Sequence, residues 1–348
     1  VTATSSEAQD QVVLQLRWDH QAQFAGYYAA LWQGFYEAAG IEVEIRSAFG
    51  PEGRLEAINE VVEGRADFGI GGADVMIAAN NGSPVLIASP VFQHSGFGIV
   101  SRLDSRISGP ADLIGLSIAI PISDLSKAEL NAVLSKEGID PDKIRWVEAT
   151  PGRSGPQLLE DRTIDAFFGF WPSAQWLVED IGRAAVFLSP SAYGVDFYGD
   201  SIFTSLELAE QNPDLVRRFT EASLAGWRYA VQNSREISDE IASRLEMARP
   251  VTDPRSYNRS ILEELKSKVI RFPEIALGNE NPDRWEGMFQ VLAEAGLVTG
   301  KFHYLDYFFD PEAQAVRVRE RMFAVIAFSA VAILIAVLIA IATGWFST

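Results

Sequence analysis

Acidic and aromatic side chains stand together in residues 196–200, which read Asp-Phe-Tyr-Gly-Asp. A carboxylate such as Asp200 can accept hydrogen bonds from the amine of an aminopyrimidine, while a ring such as that of Tyr198 can stack on it. The alternative is a turn whose acids cap neighbouring backbone groups. The segment therefore indicates either a binding site for a flat heterocycle or an ordinary turn.

A glycine-rich turn ends at Asp74. Residues 69–74 read Gly-Ile-Gly-Gly-Ala-Asp, which predicts the end of a strand and the start of a helix. Such a turn exposes backbone N–H groups that can hold an anion or a ring oxygen. It lacks the lysine and the glycine spacing of a nucleotide-binding loop. Asp74 would either face a ligand or cap the helix that follows.

The chain offers little for catalysis or metal binding. His20, His94 and His303 are its three histidines, and it has no cysteine. Thiolate zinc sites, iron–sulfur clusters and disulfides are therefore excluded. His94 would be either a ligand contact or an ordinary polar loop residue. We expect no enzymatic activity, no cofactor and no bound metal.

Length and charge narrow the class of protein. At 348 residues the chain suits two lobes better than one core. Its net charge of -18 argues against nucleic acid as a partner, because phosphates would be repelled.

A strand–helix–strand unit is predicted near the start of the chain. Residues 12–18 form a strand-like run, an aromatic helix follows a polar break, and residues 41–45 alternate apolar with charged side chains. Ligands of open α/β sheets lie at the carboxyl ends of the strands. Trp18, Gln23 and Tyr27 fall at that position. A role in the core is the alternative for Trp18 and Tyr27, as it is for the neighbouring Phe24.

Similar strand-like runs recur as far as residue 205, mostly separated by helices, which predicts parallel sheets covered by helices. Polar passages near residues 101–108 and 189–200 predict two crossings between lobes. One lobe would combine residues 10–101 and 201–300, and the other would contain residues 102–200.

Several motifs occur in one order along about 290 residues. They include Leu-Gln-Leu-x-Trp at 14–18, Gln-Phe-Ala-Gly-Tyr-Tyr at 23–28, Phe-Gln-His-Ser at 92–95 and Gly-Trp-Arg-Tyr-Ala at 226–230. In these motifs the chain resembles the periplasmic solute-binding family related to proteins that bind or make the thiamine pyrimidine. The resemblance implies a two-lobed α/β fold, the type II periplasmic-binding-protein fold, with a hydroxymethylpyrimidine-like ligand between the lobes. Eight residues are expected to line that cleft: Trp18, Gln23, Tyr27, Asp74, His94, Trp171, Tyr198 and Asp200.

The chain also departs from this family. Relatives carry a polar Asn-Glu pair where this chain has Ser173 and Ala174. The pyrimidine-making relatives need a lysine and cysteines, whereas this chain has no cysteine and its first lysine is Lys127. These differences favour a non-catalytic protein and leave the ligand open.

A membrane span is predicted near the end of the chain. Residues 323–342 contain one hydroxyl, Ser329, and no charged side chain, and a helix of that length spans about 30 Å. We therefore expect a connector at 301–321 and a transmembrane helix within 322–344. Arginines at 317, 319 and 321 would favour a cytoplasmic near side, but the charge rule is weak for large translocated domains. We expect the lobes outside the cytoplasm, anchored in the inner membrane.

The favoured function is a membrane-anchored extracytoplasmic solute-binding protein, like the binding component of an ABC transporter, for a small thiamine-pyrimidine-like heterocycle. Two alternatives stay open. One is the ligand-sensing domain of a membrane signalling protein. The other is an accessory subunit of a larger membrane protein complex, with the binding fold as a scaffold.

Overall fold

The computed structural model describes residues 9–51, 53–120, 128–148, 154–180, 182, 184–312 and 316. Within these residues the strands form two five-stranded sheets and one short hairpin. The strands are β1 (Asp10–Gln15), β2 (Ile41–Arg46), β3 (Phe49–Gly50), β4 (Gly53–Arg54), β5 (Phe68–Gly71), β6 (Val85–Pro90), β7 (Phe97–Arg102), β8 (Ser117–Ile120), β9 (Arg145–Glu148), β10 (Ala166–Phe170), β11 (Ala185–Leu188) and β12 (Ser201–Ser205). The α-helices are α1 (Ala25–Trp32), α2 (Phe35–Ala38), α3 (Ala57–Val62), α4 (Ala73–Asn80), α5 (Ala128–Lys136), α6 (Gly155–Glu160), α7 (Trp171–Asp180), α8 (Leu206–Gln211), α9 (Pro213–Gln232), α10 (Ser234–Arg244), α11 (Pro254–Glu264) and α12 (Pro282–Glu294).

The first sheet contains the predicted strand–helix–strand unit. Its strand order is β2-β1-β5-β12-β6, and β1 pairs in parallel with both β2 and β5. In β2, Ile41 and Val43 are buried while Glu42 and Glu44 are exposed. This alternation of apolar and charged residues gives an edge strand one core face and one solvent face.

The second sheet has the order β11-β7-β10-β8-β9. The chain passes from the first sheet to the second between Pro90 and Phe97, and it returns between Leu188 and Ser201. The expected lobe limit at residue 101 falls inside β7, which pairs with β10 from Phe97 to Ser101. The first crossing therefore lies a few residues before the polar passage at 101–108, in a segment whose Val91, Phe92 and Gln93 are buried. The assignment of residues 10–101 and 201–300 to one lobe and of residues 102–200 to the other stays a prediction.

Both sheets are mixed, so the expectation of parallel sheets is correct for only some of the strand pairs. Strand β12 runs antiparallel to β5 and β6, and β7 runs antiparallel to β10 and β11. These two strands are the first ones that the chain forms after each crossing. They enter their sheets directly from the other sheet, without the helical crossover that makes neighbouring strands parallel.

Helix α9 holds α1 against the first sheet. Its Phe219 ring stacks on Phe68 of β5 at a centroid distance of 3.9 Å. Further along, Trp227 covers Gly26 of α1 and makes an edge contact with Tyr27 at 5.6 Å. The two helices approach closely because Gly26 and Gly226 have no side chains at their crossing. This packing fixes the start of α1 beneath the carboxyl end of β1.

The predicted membrane span at 323–342 lies outside the described residues, as does most of the connector beyond residue 312. Within the part of the chain that the structure describes, no helix combines the length and the apolar character needed to cross a bilayer. Membrane attachment is therefore a prediction that the sequence alone supports.

Candidate functional site

Arg17 lies just after β1 and joins two carboxylates. Its Nη1 donates a hydrogen bond to Asp200 Oδ1 at 2.9 Å, and its Nη2 lies 3.7 Å from Asp74 Oδ1. Gln23 Nε2 donates to the other oxygen of Asp200 at 2.8 Å. Burial alone would lower the pKa of Arg17, but the two carboxylates outweigh it and raise that pKa. Arg17 therefore stays charged, and it stabilises Asp200, which is 2% exposed.

Three neighbouring strands of the first sheet bring this network together. Arg17 follows β1, Asp74 follows β5 at the start of α4, and Asp200 precedes β12. Asp74 also accepts a 2.6 Å hydrogen bond from the backbone N–H of Gly72, so it supports the start of α4 while facing Arg17. The network lies at the carboxyl ends of β1 and β5, where ligands of such sheets bind.

Residues of the second sheet close over the network. Phe97 of β7, with Ala128 and Glu129 of α5, lines a cavity of about 20 Å³ whose other wall is formed by Arg17 and residues 72–74. The Arg17 guanidinium lies 5.3 Å from the centre of the Phe97 ring. The cavity has room for about one water molecule. A ring-sized ligand requires the two sheets to separate or the Arg17 and Phe97 side chains to move.

Glu129 is a buried carboxyl group in this cleft. Ser95 Oγ donates to its Oε1 at 2.7 Å, while its Oε2 is buried and has no hydrogen-bond partner among the described residues. Burial raises the pKa of Glu129 to about 8, although the hydrogen bond from Ser95 and the charge of Arg17 oppose that rise. At neutral pH this group is therefore mainly protonated.

Gln23, Asp74 and Asp200 are the expected site residues that the structure brings together around Arg17. Tyr27 is buried directly behind them, packed on Trp227. Arg17 itself was missing from the expected set.

The other four expected residues make their side-chain contacts with other groups. His94 is near the first crossing, where its Nδ1 is 2.8 Å from Asp196 Oδ1. Tyr198 is buried, with its ring stacked on Trp285 at 4.3 Å.

The tryptophans Trp18 and Trp171 make contacts elsewhere. Trp18 is flanked by the guanidinium groups of Arg54 at 5.2 Å and Arg249 at 5.5 Å. Trp171 stacks on Phe187, and its Nε1 donates to Glu264 Oε2 at 3.2 Å. That last hydrogen bond joins α7, beside the second sheet, to α11, beside the first.

A larger cavity of about 490 Å³ opens elsewhere, among residues that flank the first sheet. It is lined by Asp19, His20, Phe49, the end of α10 and the start of α11. Both Asp19 oxygens already accept hydrogen bonds, from the backbone N–H groups of His20 and Arg249 and from the Ser47 hydroxyl. Because no residue of the second sheet lines this cavity, we place the candidate site in the smaller cleft, where ionisable groups from both sides meet.

Comparisons with known proteins identify relatives of the chain. The sequence profile described as NMT1/THI5 like matches residues 21–237. The formylaminopyrimidine-binding protein of Halalkalibacterium halodurans is 22% identical over 301 residues, which cover 84% of this chain and 87% of that protein. The riboflavin-binding protein RibY of Chloroflexus aurantiacus is 26% identical over 236 residues, covering 66% of this chain and 65% of RibY.

Solved structures show the fold. The periplasmic aliphatic sulphonate-binding protein SsuA of Escherichia coli superposes with a TM-score of 0.63 at 14% identity, over 86% of this chain and 97% of SsuA. The alkanesulfonate-binding SsuA of Xanthomonas axonopodis pv. citri, solved with MOPS, gives 0.62 at 16% identity over 85% of this chain and 96% of that one. The α/β periplasmic-binding-protein-like fold expected from the sequence is thus confirmed.

Proposed function

Because the chain belongs to the NMT1/THI5-like family, we propose that it is a non-catalytic solute-binding protein that captures an amino-substituted heterocycle between its two sheets. The observation that carries this proposal is the charge pattern of the cleft. Asp74, which lines the cavity, and Asp200, which is buried beside it, already share Arg17, the one arginine among the described residues that line the cavity. Relatives named for binding formylaminopyrimidine and riboflavin support a flat, nitrogen-containing ligand.

The same charges disfavour an alkanesulfonate, the ligand class of the structural relatives SsuA. A sulfonate would have to take Arg17 from two carboxylates and would leave Asp200 buried without its cation. Burying an unpaired charge is costly, and juxtaposed like charges add to that cost. An amine-bearing ring offers N–H donors to Asp74 without displacing Arg17, and Phe97 supplies an aromatic surface for stacking.

Capture would require the sheets to separate and close again. Contacts between the two sides are present at α7 and α11: Trp171 Nε1 donates to Glu264 Oε2 at 3.2 Å, and Thr252 Oγ1 donates to Asp180 Oδ2 at 2.8 Å. Both join the two sides of the molecule and can form as the cleft closes. Hinge closure around a ligand is a common motion of two-lobed binding proteins.

Asp74→Asn should weaken binding of hydroxymethylpyrimidine by about tenfold to a hundredfold. The change removes the negative charge of the carboxylate that accepts a hydrogen bond from the ligand amine. A hydrogen bond to a charged group contributes about 1.5–3 kcal/mol. Isothermal titration calorimetry measures the loss. The control is Asp214→Asn, because Asp214 also lies at the second position of a helix, α9, and pairs with arginines. Equal affinities of the two variants would contradict the role of Asp74.

An extracytoplasmic location and attachment to the inner membrane are further parts of this proposal. Support comes from the periplasmic relatives SsuA and from the uncharged sequence of residues 323–342. Protease added to spheroplasts, whose outer membrane is opened and whose inner membrane is intact, should then digest the lobes. Protection of the lobes until the membrane is breached would contradict this orientation.

A further inference from the structure

We propose that Glu129 donates a hydrogen bond to the ligand. The protein would then select heterocycles that carry a hydrogen-bond acceptor, such as a ring nitrogen, beside the amine that donates a hydrogen bond to Asp74. This inference rests on the proposed function and adds a second specificity-determining residue, contributed from the side of the second sheet.

The first support is the position of Glu129. It is the second residue of α5 and is 9% exposed, and it lines the cavity opposite Arg17 and Asp74. Its Oε2 is buried without a hydrogen-bond partner in the part of the chain that the structure describes. A buried polar atom without a partner is unfavourable. A ligand in the cleft is the group that would supply the missing hydrogen bond.

The second support is the direction of the hydrogen bonds around Ser95. Ser95 Oγ accepts the backbone N–H of Phe97 at 3.1 Å, so its own hydrogen is free to point at Glu129 Oε1, 2.7 Å away. Oε1 therefore acts as an acceptor. In a protonated carboxyl group the hydrogen is then left on Oε2, the oxygen without a partner.

The third support is the set of groups that face Glu129. Arg17 approaches from the end of β1, Asp74 from α4, and Asp196 from the segment before β12, where it is paired with His94 and Arg284. Burial raises the pKa of Glu129 to about 8, and the nearby charges of Asp196 and Asp74 add to that rise while Ser95 and Arg17 oppose it. The carboxyl group therefore keeps its proton at neutral pH.

The consequence is a donor and an acceptor on opposite walls of one cleft. The Asp74 carboxylate accepts, and the Glu129 carboxyl donates. An aminopyrimidine has the complementary pair, because its exocyclic amine stands next to a ring nitrogen. A sulfonate offers acceptors only, and an aromatic amine without ring nitrogens offers donors only. Neither would satisfy both walls.

The test is calorimetric titration with hydroxymethylpyrimidine between pH 6.5 and 9.5, using the intact protein and two variants. Wild-type affinity should be level below about pH 8 and fall by up to about tenfold per pH unit above it, as the donor is lost. Glu129→Gln keeps an N–H donor and does not titrate, so its affinity should lie within a few-fold of wild type and not show this fall. Glu129→Met has no donor and should bind at least about tenfold more weakly below pH 8.

Circular dichroism of each variant checks that the fold is retained. Two results would overturn the role of Glu129 and leave the proposed function standing. In the first, wild-type affinity falls above pH 8 no more than the affinity of Glu129→Gln. In the second, Glu129→Met binds as tightly as the wild type. Failure of the wild type to bind either hydroxymethylpyrimidine or formylaminopyrimidine at any pH would instead refute the proposed function, and this inference with it.

Discussion

Replacement of Arg17 by alanine should lower the free energy of unfolding by about 3–5 kcal/mol. The change leaves Asp200 buried with Gln23 as its remaining side-chain donor, and removing one partner of a buried ion pair is strongly destabilising. Urea denaturation at neutral pH measures the loss. The hydroxymethylpyrimidine affinity of the folded fraction should fall as well, because Asp74 loses the cation that faces it.

The matched control is Arg217→Ala. Arg217 also pairs with two carboxylates, Asp214 at 2.7 Å and Glu221 at 2.9 Å, but its side chain is 45% exposed, against 18% for Arg17. Exposed ion pairs contribute about 0–1 kcal/mol. If both variants lost the same stability, burial would not be what makes the Arg17 network important.

Gly226→Ala should destabilise the protein by about 2–3 kcal/mol, despite the higher helix propensity of alanine. A Cβ at this position would overlap the Gly26 carbonyl oxygen and come within 2.6 Å of Ala30 Cβ, so the backbones of α1 and α9 must separate. Overpacking of this kind costs about 1–3 kcal/mol and sometimes more. Because α1 begins two residues after Gln23, ligand affinity should fall too.

Gly287→Ala is the control for Gly226→Ala. Gly287 also lies inside a helix, α12, but a Cβ there would meet nothing within 4 Å. It should therefore stabilise the protein by about 1 kcal/mol, the helix-propensity difference between the two residues. Thermal or urea unfolding of both variants gives the comparison, and effects of the same sign would contradict the close helix crossing.

The fold could be predicted from the sequence because its strands are short apolar runs bounded by turns. The segment expected at 41–45 corresponds to β2 (Ile41–Arg46) with nearly unchanged limits, and the run at 12–18 overlaps β1 (Asp10–Gln15). Strand direction was harder to predict. Whether β7 and β12 run parallel or antiparallel to their neighbours depends on which sheet the chain has just left. The position of the first crossing is hard to recognise in the sequence because several of its residues are buried.

The site could be predicted only in part, because its central contacts join residues far apart in sequence. Turns and motifs in the sequence indicated Gln23, Asp74 and Asp200 as site residues. Arg17 was interpreted only as a strand residue beside Trp18. Its importance comes from Asp200, which is 183 positions away.

Glu129 was missed for a related reason. A glutamate in the first turn of an amphipathic helix normally faces solvent, and nothing local indicates that Phe97 and Ser95 bury it. Tyr198 was predicted to line the cleft, but its ring stacks on Trp285. An aromatic ring beside an acidic turn can pack into the core as well as line a cleft, and the sequence does not distinguish the two.

Calorimetric titration of the wild-type protein with hydroxymethylpyrimidine, formylaminopyrimidine and an alkanesulfonate tests the central claim most directly. The paired carboxylates around Arg17 predict saturable binding of at least one aminopyrimidine and no measurable binding of the sulfonate at the same concentrations. Saturable binding of the sulfonate with neither pyrimidine bound would contradict the assignment of the cleft to amino-substituted heterocycles.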